Sequence, residues 1–271
     1  MNPGLLKKSL REVATVVILC GIGLAAFEAL LAYVFWTYQE QLTEELMEVE
    51  FVRNLIKSLV GGKFEGQLGP ESLRSLAWVH PLVLALVFAH GITTASRVPA
   101  GEVDRGTADI MFTWPVSRGA IFFTEMFVCF ATGAFLLGLG VLGSYIGNQL
   151  IPAEGRPDPQ RVAIIVFNLY LLAMTVAGMT MLFSTLSERR GRAVGWAFGV
   201  VLTFLLWNFL AQYWGPAENA LLFNLLYYYQ PLPILTEGLF PARNYAVLAA
   251  LVGATWGGAL FILQRRDICT T

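Results

Sequence analysis

The charged side chains of one short segment, Gly101–Gly119, are the best candidates in this sequence for binding a soluble partner. The segment, GEVDRGTADIMFTWPVSRG, carries Glu102, Asp104, Arg105 and Asp109 between two long apolar runs. Carboxylate and guanidinium groups form charge-assisted hydrogen bonds, which are among the stronger polar contacts. The pattern of this charged segment predicts a short amphipathic helix on a membrane face, with its charges toward water. Four side chains are expected to face apolar neighbours: Ile110, Met111, Phe112 and Trp114.

Three residues of the charged segment have predicted backbone roles. Gly106 lacks a Cβ atom and relieves the backbone where the segment must turn at the membrane face. Pro115 cannot continue a helix and is expected to end the short one. Ser117 precedes the next apolar run, where its hydroxyl oxygen is expected to cap the first helical turn. The alternative interpretation of the segment is a solvated loop followed by a helix cap.

The sequence lacks the motifs of the common ATP-binding and hydrolytic sites. The string nearest to GxxxxGK[ST] is Gly61-Gly62-Lys63-Phe64, which lacks both the leading glycine spacing and the hydroxyl residue that would reach Mg²⁺. There is also no GxSxG and no HExxH. The chain is therefore expected to be no enzyme and to bind no cofactor directly. If ATP drives this protein, a separate subunit must bind it, together with Mg²⁺.

The composition is that of a polytopic membrane protein. Of the 271 residues, 56% are hydrophobic and only 14% are charged, with a mean hydropathy of +0.62, which excludes an ordinary soluble domain. The net charge of −1 gives no basic field for nucleic acid, and no nucleic-acid motif is present. Cys20, Cys129 and Cys269 have no metal-ligand spacing and define no disulfide framework, so we interpret them as packing residues.

Six apolar runs predict an all-α membrane protein with six spans in a single domain, residues 1–271. Each run is about long enough to cross the hydrocarbon core as a helix, and the first exceeds the length of a signal-peptide core. The predicted spans are 13–36, 77–96, 120–147, 162–186, 193–214 and 244–263.

Two other segments are predicted to lie outside the membrane core. Apolar residues recur at helical spacing among the glutamates of Tyr38–Leu76, which predicts an acidic amphipathic helix on the non-cytoplasmic side. Gly215–Arg243 contains three consecutive tyrosines and two nearby prolines, and it is too broken to span the membrane. Its aromatic residues are typical of a membrane interface.

The distribution of Lys and Arg predicts that both termini and the charged segment are cytoplasmic. The two sets below account for all 18 basic residues, and the first lies close to the span ends, where the positive-inside bias acts. One side carries Lys7, Lys8, Arg11, Arg97, Arg105, Arg118, Arg189, Arg190, Arg192, Arg265 and Arg266. The other carries Arg53, Lys57, Lys63, Arg74, Arg156, Arg161 and Arg243. The expected location is the cell membrane.

Polar groups within the spans are candidates for a substrate or ion path. Glu28 lies in the middle of the first span, where an ionisable group is costly and marks a functional site by default. It is expected either to contact a substrate or ion, or to snorkel or pair with a polar group on a neighbouring helix. The candidate neighbours are Asn168, Asn208 and Gln212. Glu125, near the start of the third span, is expected to reach water or to pair with Arg118.

Soft-metal transport and helix pairing are two further interpretations. His80 and His90 are ten residues apart and do not share one helical turn, while Met174, Met179 and Met181 are typical of a helix core, so metal transport is the weaker hypothesis. Small residues at i and i+4 favour close helix packing. These pairs are Gly143 with Gly147, Gly191 with Gly195 and Gly199, and Gly253 with Gly257.

The charged segment resembles one found in permease subunits of type-2 ATP-binding-cassette exporters. That family carries small-Gly-Glu, two variable residues, Arg-Gly-Thr, several apolar residues and then Pro-Val-Ser-Arg, and the same order runs here from Ala100 to Arg118. The tail Phe261–Ile268 is similar to the family's closing pattern. One departure is Glu125, where the family usually has Lys.

This resemblance implies that the charged segment is a coupling helix, which sits in a cleft of a cytoplasmic ATPase subunit. The implied assembly has two permease subunits, identical or related, and two ATPases whose closure opens the permease cavity outward. The residues expected to serve coupling are Glu102, Asp104, Arg105, Gly106, Thr107, Asp109, Pro115, Ser117 and Arg118. The alternatives are an ATPase-coupled scaffold or mechanotransmitter and a passive channel, and the substrate is left open.

Overall fold

The computed structural model describes residues 2–42, 70–112 and 116–266, which form helices, with no β-strand among them. Short helical turns join several of these helices, at Arg97–Gly101, Ala153–Gly155, Leu221–Phe223 and Leu225–Tyr228. The helices are α1 (Pro3–Thr37), α2 (Pro70–Val79), α3 (Pro81–Ala95), α4 (Glu102–Asp104), α5 (Ala108–Phe112), α6 (Arg118–Gln149), α7 (Pro159–Leu186), α8 (Arg190–Leu210), α9 (Gly215–Asn219), α10 (Pro231–Glu237) and α11 (Ala242–Arg265).

The predicted all-α membrane architecture is confirmed. Five helices of the described part are long and apolar enough to cross a membrane, namely α1, α6, α7, α8 and α11, with α7 extended by the turn before it. A sixth span is obtained if α3 and the bent stretch Arg97–Asp104 are counted together. Helix α1 begins at Pro3, well before the predicted start of the first span at residue 13. The extra turns bring Lys8 and Glu12 against the charged segment.

The second predicted span is broken, unlike the single helix expected over residues 77–96. Helix α2 ends at Val79 and α3 begins at Pro81, because a proline has no N–H to continue the helical ladder. The ring of His80 accepts a hydrogen bond from the Leu82 N–H at 3.2 Å and so caps α3. After Ala95 the chain bends by 65° into Arg97–Asp104. This bend carries the chain out of α3 and into the charged segment.

Helix α7 is the centre of the bundle and packs against α3, α6, α8 and α11. Leu169, Leu172 and Met174 on α7 are fully buried in the main core. The Trp256 indole N–H of α11 donates to the Met174 carbonyl at 3.0 Å. The Tyr170 hydroxyl donates to the Phe130 carbonyl of α6 at 3.1 Å. Two neighbouring spans are thus attached to α7 by side-chain hydrogen bonds as well as by packing.

Helices α1 and α6 pack closely because glycines let their backbones approach. A Cβ atom at Gly143 would overlap the Ala25 carbonyl oxygen, and one at Gly147 would overlap that of Ala29. The predicted close packing at this pair of glycines is confirmed. Gly191, Gly195 and Gly199 on α8, and Gly253 and Gly257 on α11, differ, since an added Cβ atom would meet nothing within 4 Å. Those glycines do not bring two described helices together.

The two ends of the bundle are distinct. The basal end, as we define it, holds the N-terminus of α1, the charged segment and the C-terminus of α11. The opposite end holds α2, α10 and the short helices of Gly215–Arg243, where the Tyr229 hydroxyl donates to the Trp78 carbonyl at 2.9 Å. That region is short-helical, as its broken pattern predicted. The acidic helix predicted within Tyr38–Leu76 lies largely outside the described residues.

The close approach of α1 and α6 predicts that Gly143→Val lowers stability strongly. A valine side chain there meets backbone atoms rather than a movable side chain, and overpacking of this kind costs about 1–3 kcal/mol or more. Gly253→Val is the matched control because its site is open. The free energy of unfolding of each variant is measured in mixed detergent micelles. Equal stability of the two variants would contradict the close contact between α1 and α6.

Candidate functional site

The turn that leads into the charged segment is held between spans. All residues of this turn, Arg97–Gly101, are buried, and Val98 within it has an extended backbone, so the turn is a bend and not a regular helix. The Ala100 N–H donates to the Ser184 hydroxyl of α7 at 3.1 Å. Arg190, at the start of α8, donates to the Ser96 hydroxyl at 3.2 Å and to the Thr93 carbonyl at 2.9 Å. The turn is therefore attached to α7 and α8 before the segment reaches the surface.

The segment then reverses at Gly106, as predicted. Gly106 has a φ of 69°, a left-handed conformation that side-chain-bearing residues rarely adopt. It lies between α4 and α5, and the Thr107 N–H donates to the Glu102 carbonyl at 2.9 Å across the turn. The Ser117 hydroxyl accepts from the Ala120 N–H at 3.2 Å and caps α6, which confirms the predicted cap. Pro115 lies outside the described residues.

Glu102 points into the protein, not outward. Its side chain is only 2% exposed, and its carboxylate accepts from Lys8 at 3.1 Å, from Arg105 at 2.7 Å and from the Thr107 hydroxyl. Burial alone would raise the pKa of Glu102, but the hydrogen bonds from Thr107 and Lys8 and the positive charges of Lys8 and Arg105 outweigh it and lower the pKa below its usual value. The ionised carboxylate therefore joins α1 to both arms of the turn.

The outward face of the charged segment carries alternating charge. Asp104, Arg105 and Asp109 are exposed, while Ala108 and Met111 are buried beneath them. Met111 packs with three apolar residues of neighbouring elements, Leu5, Val98 and Ile121. The predicted amphipathic pattern is confirmed for these residues. The side chains of Ile110 and Phe112, and the whole of Trp114, lie outside the described part.

A buried ion-pair network lies directly behind the segment. The Arg97 guanidinium is 5% exposed and pairs with Glu12 of α1 and with Glu125 of α6. The Ser9 hydroxyl donates to the other oxygen of Glu125. The expectation that Glu125 reaches water or pairs with Arg118 is wrong, because the first turns of α1 cover this position. Arg97 occupies the space between the two helices instead.

Arginines also occupy the carbonyl ends of spans at the basal end. Arg118 donates to the Arg266 carbonyl at 2.6 Å, just past the end of α11. Arg266 in turn donates to the Thr185 carbonyl at 2.5 Å, at the end of α7. A helix C-terminus carries unpaired carbonyls and partial negative charge, so a guanidinium there is doubly favourable. Arg118 thus attaches the end of the charged segment to the last span.

The candidates for a path within the spans are not brought together. Glu28 is fully buried, and neither of its carboxylate oxygens has a hydrogen-bond partner in the described part of the chain. The same is true of both amide atoms of Asn168. Asn208, on α8, is half-buried. Glu28 lines a cavity of about 30 Å³, close to the volume of one water, which Arg74 also lines.

The histidines have local partners. His90 Nε2 lies 2.9 Å from the Thr132 hydroxyl oxygen, and His80 caps α3. Within the described ranges there is no group of three or more His, Cys, Asp or Glu residues that could hold a metal ion. The structure therefore adds no support to the metal-transport interpretation.

The buried network predicts a strong effect of Arg97→Leu. The change leaves the buried Glu125 without its counter-ion, and breaking a buried pair costs about 3–5 kcal/mol, whereas Glu12 is 30% exposed and keeps Lys8 at 3.7 Å. Adding Glu125→Gln should restore part of the loss, because no buried charge is then left unpaired. Unfolding in mixed micelles measures this, with Arg189→Leu at an exposed site as the control. A loss in Arg97→Leu no larger than in the control would contradict the network.

We predict that the Glu102 carboxylate makes a pH-dependent contribution to the stability of the folded protein. Because its pKa in the folded protein is lowered, its stabilisation is present above the usual value of 4.5 and is lost as pH falls through the lower folded value. Wild type should therefore exceed Glu102→Gln in melting temperature at neutral pH, and the difference should shrink below pH 4.5. Melting curves of both proteins across the acid range test this. A difference that stays constant with pH would show that the carboxylate charge is not involved.

A known family matches most of this chain. The family model described as "ABC-2 family transporter protein" matches residues 7–255, from the first turns of α1 into α11. The match includes the charged segment and the network behind it. None of the curated proteins compared with the chain matches it. Because the family match covers most of its length, the chain belongs to the ABC-2 family of transporter proteins.

Proposed function

We propose that this protein is the transmembrane permease subunit of an ATP-binding-cassette exporter, acting as a single permease domain. A separate cytoplasmic ATPase binds ATP and Mg²⁺, and the permease catalyses no covalent reaction. Family membership supports a permease. The observation that supports the coupling is the attachment of one surface segment, with an exposed charged face, to five helices that are distant in sequence, namely α1, α6, α7, α8 and α11.

The charged segment is the proposed docking site for the ATPase. Asp104, Arg105 and Asp109 present both signs of charge at the surface, and such a face fits a polar cleft by charge-assisted contacts. Glu102 and Thr107 act differently, because they hold the turn from within. Gly106 permits the turn, while Ser117 and Arg118 connect it to α6 and α11. For Pro115 the proposed role is the sequence-based one, to end the short helix.

Movement of the docked segment would be transmitted to several spans at once. Lys8 and Glu12 connect it to α1, Arg97 to α6 through Glu125, and Arg190 to α8. Closure of the ATPases upon ATP binding would therefore push the basal ends of these helices as a unit. ATP can drive transport only if the ATPase binds the two permease conformations with different affinity.

The proposed functional assembly contains two permease subunits, identical or related. It lies in the lipid bilayer of the cell membrane. The proposed orientation has both termini and the charged segment in the cytoplasm, and the distribution of Lys and Arg near the span ends supports it. The substrate would pass between the two subunits. Glu28, Asn168 and Asn208 are the proposed polar groups of its path. Support comes from the buried, unpartnered state of the first two, which is costly in a membrane.

The docking proposal predicts loss of the ATPase from an Asp104→Arg variant. The Asp104 side chain is exposed and forms no ion pair among the described residues, so reversing its charge should spare the fold while creating a like-charge contact in a complementary cleft. Affinity purification from mild detergent, with mass spectrometry of co-eluting ATPases that carry a GxxxxGK[ST] motif, measures the loss. Glu154→Arg, exposed at the opposite end, is the control.

The outcome separates the candidate functions. ATPase bound to wild type and control but absent from the variant supports docking at the charged segment. If no ATPase accompanies folded wild type, the docking proposal fails. ATP-dependent efflux from proteoliposomes then distinguishes an exporter from a scaffold, which would couple without flux. Flux without ATP would indicate a passive channel.

A further inference from the structure

A groove of about 980 Å³ lies between α6 and α7 toward the opposite end of the bundle. It belongs to none of the sites described above. Its walls are apolar along most of their length, and its polar residues lie at the end nearest the α6–α7 connection. The apolar wall includes Ala134, Leu137, Gly138, Val141, Val166 and Phe167. The polar rim includes Asn148, Gln149, Arg156 and Asp158.

The length of the groove matches one side of a bilayer. On α6 the lining runs from Ala134 to Gln149, and on α7 from Pro159 to Tyr170. At a rise of about 1.5 Å per residue these stretches measure roughly 22 Å and roughly 17 Å. Half of the hydrocarbon core is about 15 Å thick, and the remainder is the interface. An acyl chain therefore has room to lie along the apolar wall with its polar end at the rim.

The rim carries one guanidinium, that of Arg156, and one carboxylate, that of Asp158. Arg156 is exposed, and its Nε and one terminal nitrogen donate to the Ile151 carbonyl, both at 3.2 Å. Among the described residues no carboxylate forms an ion pair with it. Asp158 caps α7 through the Gln160 N–H at 2.9 Å and lies 3.8 Å from Arg161. The negative charge at the rim is thus already compensated, and Arg156 is left to attract an anion.

We propose that this groove binds one phospholipid with an anionic headgroup. Its hydrocarbon lies against the apolar residues of α6 and α7, and its phosphate pairs with Arg156 through a guanidinium that is already oriented by Ile151. Contact between water and these apolar walls is unfavourable, whereas lipid chains are apolar and are present at that depth. The lipid is a bound component of the permease and is separate from the transported substrate. This inference does not depend on the ATPase.

Native mass spectrometry of the full-length protein tests the site with two probes. Detergent-purified protein is titrated with palmitoyl-oleoyl phosphatidylglycerol, or with the phosphatidylcholine of the same chains. Gly138→Phe fills the groove, since an added Cβ atom there meets nothing within 4 Å. Gly195→Phe is the matched control, because Gly195 is equally open but lies on α8. We expect one retained phosphatidylglycerol in wild type and control, and about tenfold weaker retention in Gly138→Phe.

Arg156→Gln tests the headgroup independently at an exposed residue. The variant should keep its affinity for phosphatidylcholine and lose the preference for phosphatidylglycerol, by about tenfold, because one charge-assisted contact is removed. Equal lipid retention in Gly138→Phe and Gly195→Phe would overturn the proposal. So would cross-linking of two copies through Gly138→Cys that added phosphatidylglycerol does not reduce, since the groove would then be covered by a second subunit.

Discussion

The buried guanidinium of Arg97 is the constraint on which the basal end of this protein depends. An arginine at this depth is tolerated only when its charge is compensated. Glu12 of α1 and Glu125 of α6 supply that compensation by pairing with the two terminal nitrogens, whereas Arg97 Nε is buried without a hydrogen-bond partner among the described residues. Because the buried Glu125 would have no counter-ion without Arg97, α6 and the turn that carries Arg97 are held in one arrangement, to which the Glu12 pair adds α1. Small relative displacements of these three elements are therefore costly.

The same end of the molecule uses arginines for a second purpose. Arg118, Arg190 and Arg266 each reach the last carbonyls of a different helix, so α11, α3 and α7 end on guanidinium groups contributed by neighbouring elements. These contacts couple the ends of helices that are distant in sequence. At the opposite end, α6 and α7 line a groove between them. A force applied to the charged segment would thus move the basal ends together and leave the far ends room to diverge, as the proposed exporter mechanism requires.

Hydropathy and local motifs were sufficient to predict much of the fold. Long apolar runs predicted the five described helices that are long and apolar enough to cross a membrane, but not the break in the second predicted span. The left-handed turn at Gly106 and the cap at Ser117 followed from local chemistry. Tertiary contacts were not accessible in this way. The partner of Glu125 comes from two other elements, and the early start of α1 at Pro3 had no apolar signal. Gly143 and Gly253 begin the same small-xxx-small pattern, yet only the first contacts another described helix, because the pattern permits close packing without specifying a neighbour.

The charged residues of the segment also show that tertiary contacts could not be predicted from sequence. Their actual arrangement has a functional consequence. Sequence alone placed Glu102 with Asp104, Arg105 and Asp109 as a single binding face, since all four are polar and close in sequence. The structure divides them: Glu102 is enclosed by Lys8 and Thr107, whereas the other three are exposed. The proposed coupling to an ATPase could then fail in two separable ways. A change at Asp104 would weaken the proposed docking while the helices stay in place, whereas Arg105 also pairs with Glu102. Changes at Glu102 or Arg97 would leave the docking charges present on a segment that no longer moves the spans.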